Sequence, residues 1–207
     1  MSELAHEYDL EDANDPYIKY ELLNGVQYGE PRYELIGGAK FIMAAAPNLT
    51  HSTIMGRLFA IFRNYIDEND IKAEVYSDNT DVYFSKKEHY MPDVSVVCNA
   101  AIILNGKRIL GAPDLIIEVL SDSTRDNDTG IKKDTYEKYG VKEYWIVDPK
   151  IRQIEVYHLI DGKFQSVGKY EISDDEDKNK IRVSIFDGMI IDIRKVFKFV
   201  FNFDNEI

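Results

Sequence analysis

The first clear alternation of hydrophobic and polar positions starts at Tyr33. Tyr33 and Leu35, then Phe41 and Met43, flank Gly37-Gly38, a pattern that predicts a hairpin turned where the backbone needs positive φ. The period then changes. Ile54, Leu58, Ile61, Phe62 and Tyr65 recur at helical spacing, which predicts a helix capped by Asn48 or Thr50 and ending near 67–69. Strands are expected at 73–76, 81–84, 93–98 and 114–121, and the near-continuous apolar runs of the last two suit strands covered on both faces. Between them, 99–111 keeps an apolar face, as expected of a short helix or an irregular crossover. A second helix is expected over 128–139, stopped by Gly140 as a left-handed cap. Strands follow at 143–147, 154–159, 164–170 and 181–185, with turns at Asp148-Pro149 and Asp161-Gly162. The tail KVFKFVFNF reads as a packed terminus or an interface. Mixed strands around two helices predict an α/β or α+β domain with a central sheet and additional C-terminal strands.

At 207 residues with 44% hydrophobic content, the chain suits one domain with an ample core: a flexible arm over 1–15 and a domain over 16–207. No segment approaches 18 uninterrupted apolar residues, so a soluble, cytoplasmic protein with no membrane partner is expected. The single cysteine, Cys98, excludes an internal disulfide and a cysteine-rich zinc site, and its apolar surroundings suggest a buried small hydrophobe. A net charge of -12 argues against a protein that coats nucleic acid by neutralising phosphates. It leaves room for a nuclease, whose metal-binding carboxylates themselves add acid. The acidic stretches at 1–15 and 174–177 read as solvated segments.

Two Pro-Asp pairs open apolar runs, at Pro92-Asp93 and Pro113-Asp114, and the second run contains Glu118. A divalent cation needs hard oxygen ligands in a small volume, and adjacent strands carrying Asp93 and Glu118 would supply them. Period-two alternation places Asp114, Ile116, Glu118 and Leu120 on one face, so Glu118 projects from the middle of an apolar strand. There it must bind metal or pair with Lys132, Lys133 or Arg125, because an isolated buried carboxylate is costly. Asp114 lies about 13 Å along the strand from Glu118, too far to share an ion, and reads first as structural at the start of the strand and second as a residue that supports the site's ligands from behind. On the following helix Asp128, Lys132 and Tyr136 share a face, either as a solvated i,i+4 ion pair or as a lysine aimed at Glu118. His51, at a helix start, would contact metal or phosphate, or else serve capping and packing. Tyr136 would hydrogen-bond a site carboxylate or fill the core. Tyr144 and Trp145 read as packing residues and Glu143 as exposed.

The order Pro92-Asp93, a linker, then Glu118, Ser121, Thr124, Asp128, Lys132, Tyr136, Gly140, Val141, Glu143, Tyr144, Trp145, Asp148 and Pro149 resembles the Uma-two-type restriction endonuclease family of the PD-(D/E)xK nuclease superfamily. YELIGG at 33–38 and His51 fit the same pattern, so the resemblance spans roughly 20–195. It implies a restriction-endonuclease-like core, with a central mixed sheet flanked by helices and Asp93 and Glu118 as Mg²⁺ ligands, Mn²⁺ being the natural substitute. The superfamily's lysine usually stands two residues beyond the acid, a position held here by Leu120. The family pattern moves it to the next helix, as Lys132 or the adjacent Lys133.

These readings combine into a Mg²⁺-dependent endonuclease acting on DNA, with Asp93, Glu118 and Lys132 catalytic and His51, Asp128 and Tyr136 supporting. A homodimer is expected to supply the basic groove that the acidic chain lacks. The rival reading is a non-catalytic nuclease-fold module that binds nucleic acid or a protein; a third is hydrolysis of another phosphoester.

Overall fold

The computed structural model describes residues 33–42, 48–77, 80–104 and 108–198. The expected arm over 1–15, Met43 and the end of the tail lie outside these residues. The first hairpin joins β1 (Tyr33–Ile36) to β2 (Ala39–Ile42) in the register Ile36 opposite Ala39. Gly37 and Gly38 turn it at φ of 60° and 85°, the pair of positive values that matches strand twist in a two-residue turn. Helix α1 (Leu49–Glu68) follows, and the Asn48 side chain caps it by accepting the His51 backbone N–H at 2.8 Å. Its buried stripe of Ile54, Leu58, Phe62 and Ile66 repeats every fourth residue.

Six strands make the central sheet: β3 (Glu74–Ser77), β6 (Val94–Val97), β9 (Leu115–Val119), β10 (Glu143–Asp148), β11 (Gln153–Ile160) and β12 (Lys163–Glu171). Their order is β12-β11-β10-β9-β6-β3. Only β9 and β10 run parallel, joined by the crossover α2 (Arg125–Thr129) and α3 (Ile131–Tyr139); the other neighbours are antiparallel. This is the mixed sheet expected from the sequence. Helix α1 covers one face, where Phe62 meets Trp145 edge-on at 6.0 Å within a core of Val94, Val96, Leu115, Ile117 and Val147. A second six-stranded sheet contributes to the other face, in the order β2-β1-β5-β4-β8-β7 with β4 (Val82–Ser85), β5 (Glu88–Tyr90), β7 (Ile103–Leu104) and β8 (Arg108–Leu110). Between them Val82, Phe84, Tyr90 and Ile109 pack with Ile116, Tyr136 and Tyr144.

Several sequence expectations need correction. The 99–111 segment holds a 3₁₀ turn at Ala100–Ile102 and then the antiparallel pair β7 and β8, because its two short apolar pieces complete the second sheet's edge. The helix expected over 128–139 is two helices, broken at Gly130 with φ -112° and ψ -101°. Gly140 does end the second in the left-handed region, at φ 88°. Strand β13 (Lys180–Arg182) is shorter than expected and pairs with β14 (Ile190–Asp192). At the described start of the tail the packed alternative holds for Val196 and Phe197: with Ile193 of α4 (Ile193–Val196) they join the core on α1's face of the sheet, while Lys195 is exposed. Cys98 is exposed, since it follows the last residue of β6 where the chain leaves the sheet.

Candidate active site

Strand register brings the two acids together. Antiparallel pairing sets Val94 opposite Ile117, so the next position along places Asp93, just before β6, beside Glu118 in β9. The Asp93 backbone N–H donates to Glu118 Oε2 at 3.3 Å, and Val119 N–H donates to Asp93 Oδ2 at 2.7 Å. Helix α1 delivers His51 to the same carboxylate, with Nε2 at 3.1 Å from Asp93 Oδ2. His51 is thus placed by the first turn that Asn48 caps.

The other wall comes from the crossover. Lys132 Nζ lies 3.3 Å from Glu118 Oε1, 3.2 Å from Asp128 Oδ1 and 3.1 Å from Glu34 Oε1. Tyr136 donates its hydroxyl to Glu118 Oε1 at 2.7 Å. Lys132, Asp128 and Tyr136 are buried, which overturns the reading of Asp128 and Lys132 as an ion pair on a solvated face. Of the two lysines Lys132 is the one that reaches Glu118: Lys133 points its Nζ over the Tyr157 ring at 3.7 Å, the direction a residue about 100° around the helix must take. Arg125 turns to Asp148 at 2.8 Å instead of Glu118. Leu120 is buried among apolar residues.

Asp114 stands apart, as its distance along the strand requires. It accepts Cys98 N–H and the Lys142 ammonium, both at 2.7 Å, pinning the start of β9 to β6 and β10. Tyr144 and Trp145 are core residues. Glu143 is buried, contrary to expectation, and accepts from Trp145 Nε1 at 2.6 Å and from the Ser184 backbone N–H at 2.7 Å. Glu34 is the residue that sequence reasoning missed. The alternation that put Tyr33 and Leu35 on one face of β1 left Glu34 and Ile36 on the other, and a face shared with Ile36 marks a carboxylate that enters a core.

Four carboxylates therefore surround one ammonium. Burial, with Asp128, Asp93 and Glu34 adding repulsion, holds the Glu118 carboxyl well above its ordinary value despite Lys132. Burial likewise raises Asp128, against the pull of Lys132 and the Thr124 hydroxyl. For Lys132 burial would lower the value, but Glu118, Asp128, Glu34 and Asp93 together outweigh it and raise it well above that of a free lysine. The surplus of hard, anionic oxygen suits a small divalent cation. Among the described residues no group of three or more His, Cys, Asp or Glu side chains is placed to hold a metal ion. Asp93 and Glu118, adjacent and braced from opposite sides, are the pair that would hold it.

Over residues 15–193 the sequence matches the family model Uma2, described as "Putative restriction endonuclease". The chain belongs to the Uma2 family. Among solved structures it is similar to a protein from Anabaena variabilis described as a "putative nuclease belonging to DUF820". The two share 20% identity and a TM-score of 0.66, over 83% of this chain and 92% of that one. At that identity the likeness speaks for a common fold. No curated protein matches the chain. Among the described residues no helix is long and apolar enough to cross a membrane.

Proposed function

We propose that this Uma2 protein is a Mg²⁺-dependent endonuclease that hydrolyses phosphodiester bonds in DNA, with a PD-(D/E)xK site whose lysine has moved from the strand to helix α3. The observation that carries this reading is the convergence of Asp93 and Glu118 on adjacent strands with Lys132 3.3 Å from Glu118. Asp93 and Glu118 would hold Mg²⁺, or Mn²⁺ in its place. Held there, the ion would supply Lewis acidity, which would make a water a better nucleophile and offset charge on the phosphate.

The chain's own residues supply the rest. His51 and the Val119 N–H fix the Asp93 carboxylate, and Tyr136 fixes Glu118. Lys132, set among carboxylates, acts as a cation and not as a base: it orients the attacking water and stabilises negative charge building on phosphorus. Asp128, four residues before Lys132, braces it. Assembly as a homodimer also belongs to this reading; a second copy adds to the net charge of -12 instead of offsetting it, so the surface that meets DNA must be locally basic.

Plasmid nicking with Mg²⁺ or Mn²⁺ titrated in, alongside thermal unfolding, tests it. Wild type should nick and show saturable stabilisation, and Asp93→Asn and Glu118→Gln should lose both. A wild type that binds DNA with no metal response and no cleavage would instead be a non-catalytic module, and cleavage of small phosphodiesters with DNA untouched would shift the substrate class.

A further inference from the structure

Lys132 reaches Glu118 from a different element, 14 residues further along the chain, on a flexible four-carbon stem. An ammonium carried that way holds a fixed place beside a strand carboxylate only if its surroundings restrain it. Two of its carboxylate neighbours are local to the crossover: Glu118 on β9 and Asp128 on α2. The third, Glu34, comes from β1 in the other sheet, and its Oε1 is the nearest of the three oxygens at 3.1 Å. That same oxygen accepts the Met91 backbone N–H at 3.1 Å, two residues before Asp93. Glu34 is 6% exposed.

Structural duty alone does not explain a carboxylate there. The Met91 N–H needs only an acceptor, which a neutral amide would supply, and a buried negative charge is costly unless a cation uses it. Among the described contacts of Glu34 the charge is used by Lys132. We propose that Glu34 is a positioning residue that holds the Lys132 ammonium against Glu118 and ties it to the 91–93 segment carrying Asp93, making the second sheet part of the reaction apparatus. Its catalytic consequence rests on the nuclease reading; its hold on Lys132 does not.

The test separates the two. In metal-free, lysine-labelled full-length protein, the Lys132 ammonium should give a slowly exchanging NMR resonance, assigned by its loss in Lys132→Met. Glu34→Gln, which keeps shape and an acceptor for Met91, should shift that resonance and broaden it to loss through faster exchange with water. Glu34→Asp, which keeps the charge but withdraws it by one methylene, is the second variant should the first not fold, and should also shift it. In nicking assays Glu34→Gln should lower kcat on the order of 10- to 100-fold with KM for DNA unchanged. No slowly exchanging resonance in wild type, or one that both variants leave in place, overturns the proposal even if wild type cleaves DNA. A resonance that moves as expected in a protein that never cleaves leaves Glu34 as the clamp on Lys132 and removes the nuclease reading alone.

Discussion

Two glutamates on neighbouring parallel strands, Glu118 on β9 and Glu143 on β10, are equally hidden from solvent, at 2% and 0% exposure, yet their settings are opposite. Glu143 lies on the α1 side of the sheet with Trp145, and every described hydrogen bond to it comes from a neutral donor: the Trp145 indole and the Ser184 backbone N–H and hydroxyl. One ionisable side chain approaches it, His158, with Nε2 at 3.9 Å from Oε1. Glu118 lies on the other face among Asp93, Asp128, Glu34 and Lys132, where acid outnumbers base. Burial of a carboxylate is therefore not what marks the site. An imbalance of charge that a cation would relieve is what marks it, and Glu143 is the internal control.

The largest expected effect separates the two directly. Glu118→Gln should reduce plasmid nicking at least about a hundredfold, as loss of a preorganised charged group does, whereas Glu143→Gln, whose single amide oxygen can keep either the Trp145 or the Ser184 hydrogen bonds, should leave kcat of the folded protein unchanged. Equal losses in the two variants would mean that Glu118 matters for folding alone.

Stability should rank them the other way. Glu143→Ala strands the Trp145 N–H and both Ser184 donors in the core, at an expected cost of about 3 kcal/mol in urea unfolding. It also frees the 184 region from the sheet. Glu118→Gln should stabilise the metal-free protein instead. Because burial raises the folded-state value of Glu118 above the ordinary 4.5, the proton favours the folded chain. The contribution is complete below 4.5 and is lost as pH rises through the raised value. Wild type should thus fall behind Glu118→Gln as pH rises above 4.5 through the raised value, and Mg²⁺ should close the gap by stabilising wild type only. A constant gap across that range would show that the ionised carboxylate is not what costs stability.

Much of this contrast was legible in the sequence, and the illegible part has a physical pattern. Asp93 and Glu118 stood out because each interrupts an apolar run, and pairing of the two strands sufficed to bring them together. Lys132 was the candidate, on the face it shares with Asp128 and Tyr136, but Lys133 stayed open beside it, since the choice depends on which way α3 is rotated against the sheet. Glu34 lay inside the YELIGG segment of the resemblance, but its role was not legible because its partner lies on another element nearly a hundred positions away. Glu143 was misjudged for the same reason: a charged residue opening a strand looks exposed until the Ser184 segment, 41 residues later, covers it. Local periodicity yields faces; which face meets which is a tertiary fact.

The smallest expected effect concerns Asp148, at the far end of β10 from Glu143. Burial alone would raise its carboxyl, but the Arg125 guanidinium and the Lys150 backbone N–H outweigh that and leave it below its ordinary 3.8. A depressed acid contributes stability above 3.8 that disappears as pH falls through the lower folded value. Arg125→Ala should therefore cost less than about 1 kcal/mol at neutral pH, as expected for a guanidinium that is partly in solvent, and make the protein unfold at slightly higher pH on acid titration. Asp148 is a balanced carboxylate like Glu143, except that a cation balances it. Nicking by Arg125→Ala should stay near wild type if the surplus around Glu118 is what drives the chemistry, and a loss comparable to that of Glu118→Gln would extend the site to the start of α2.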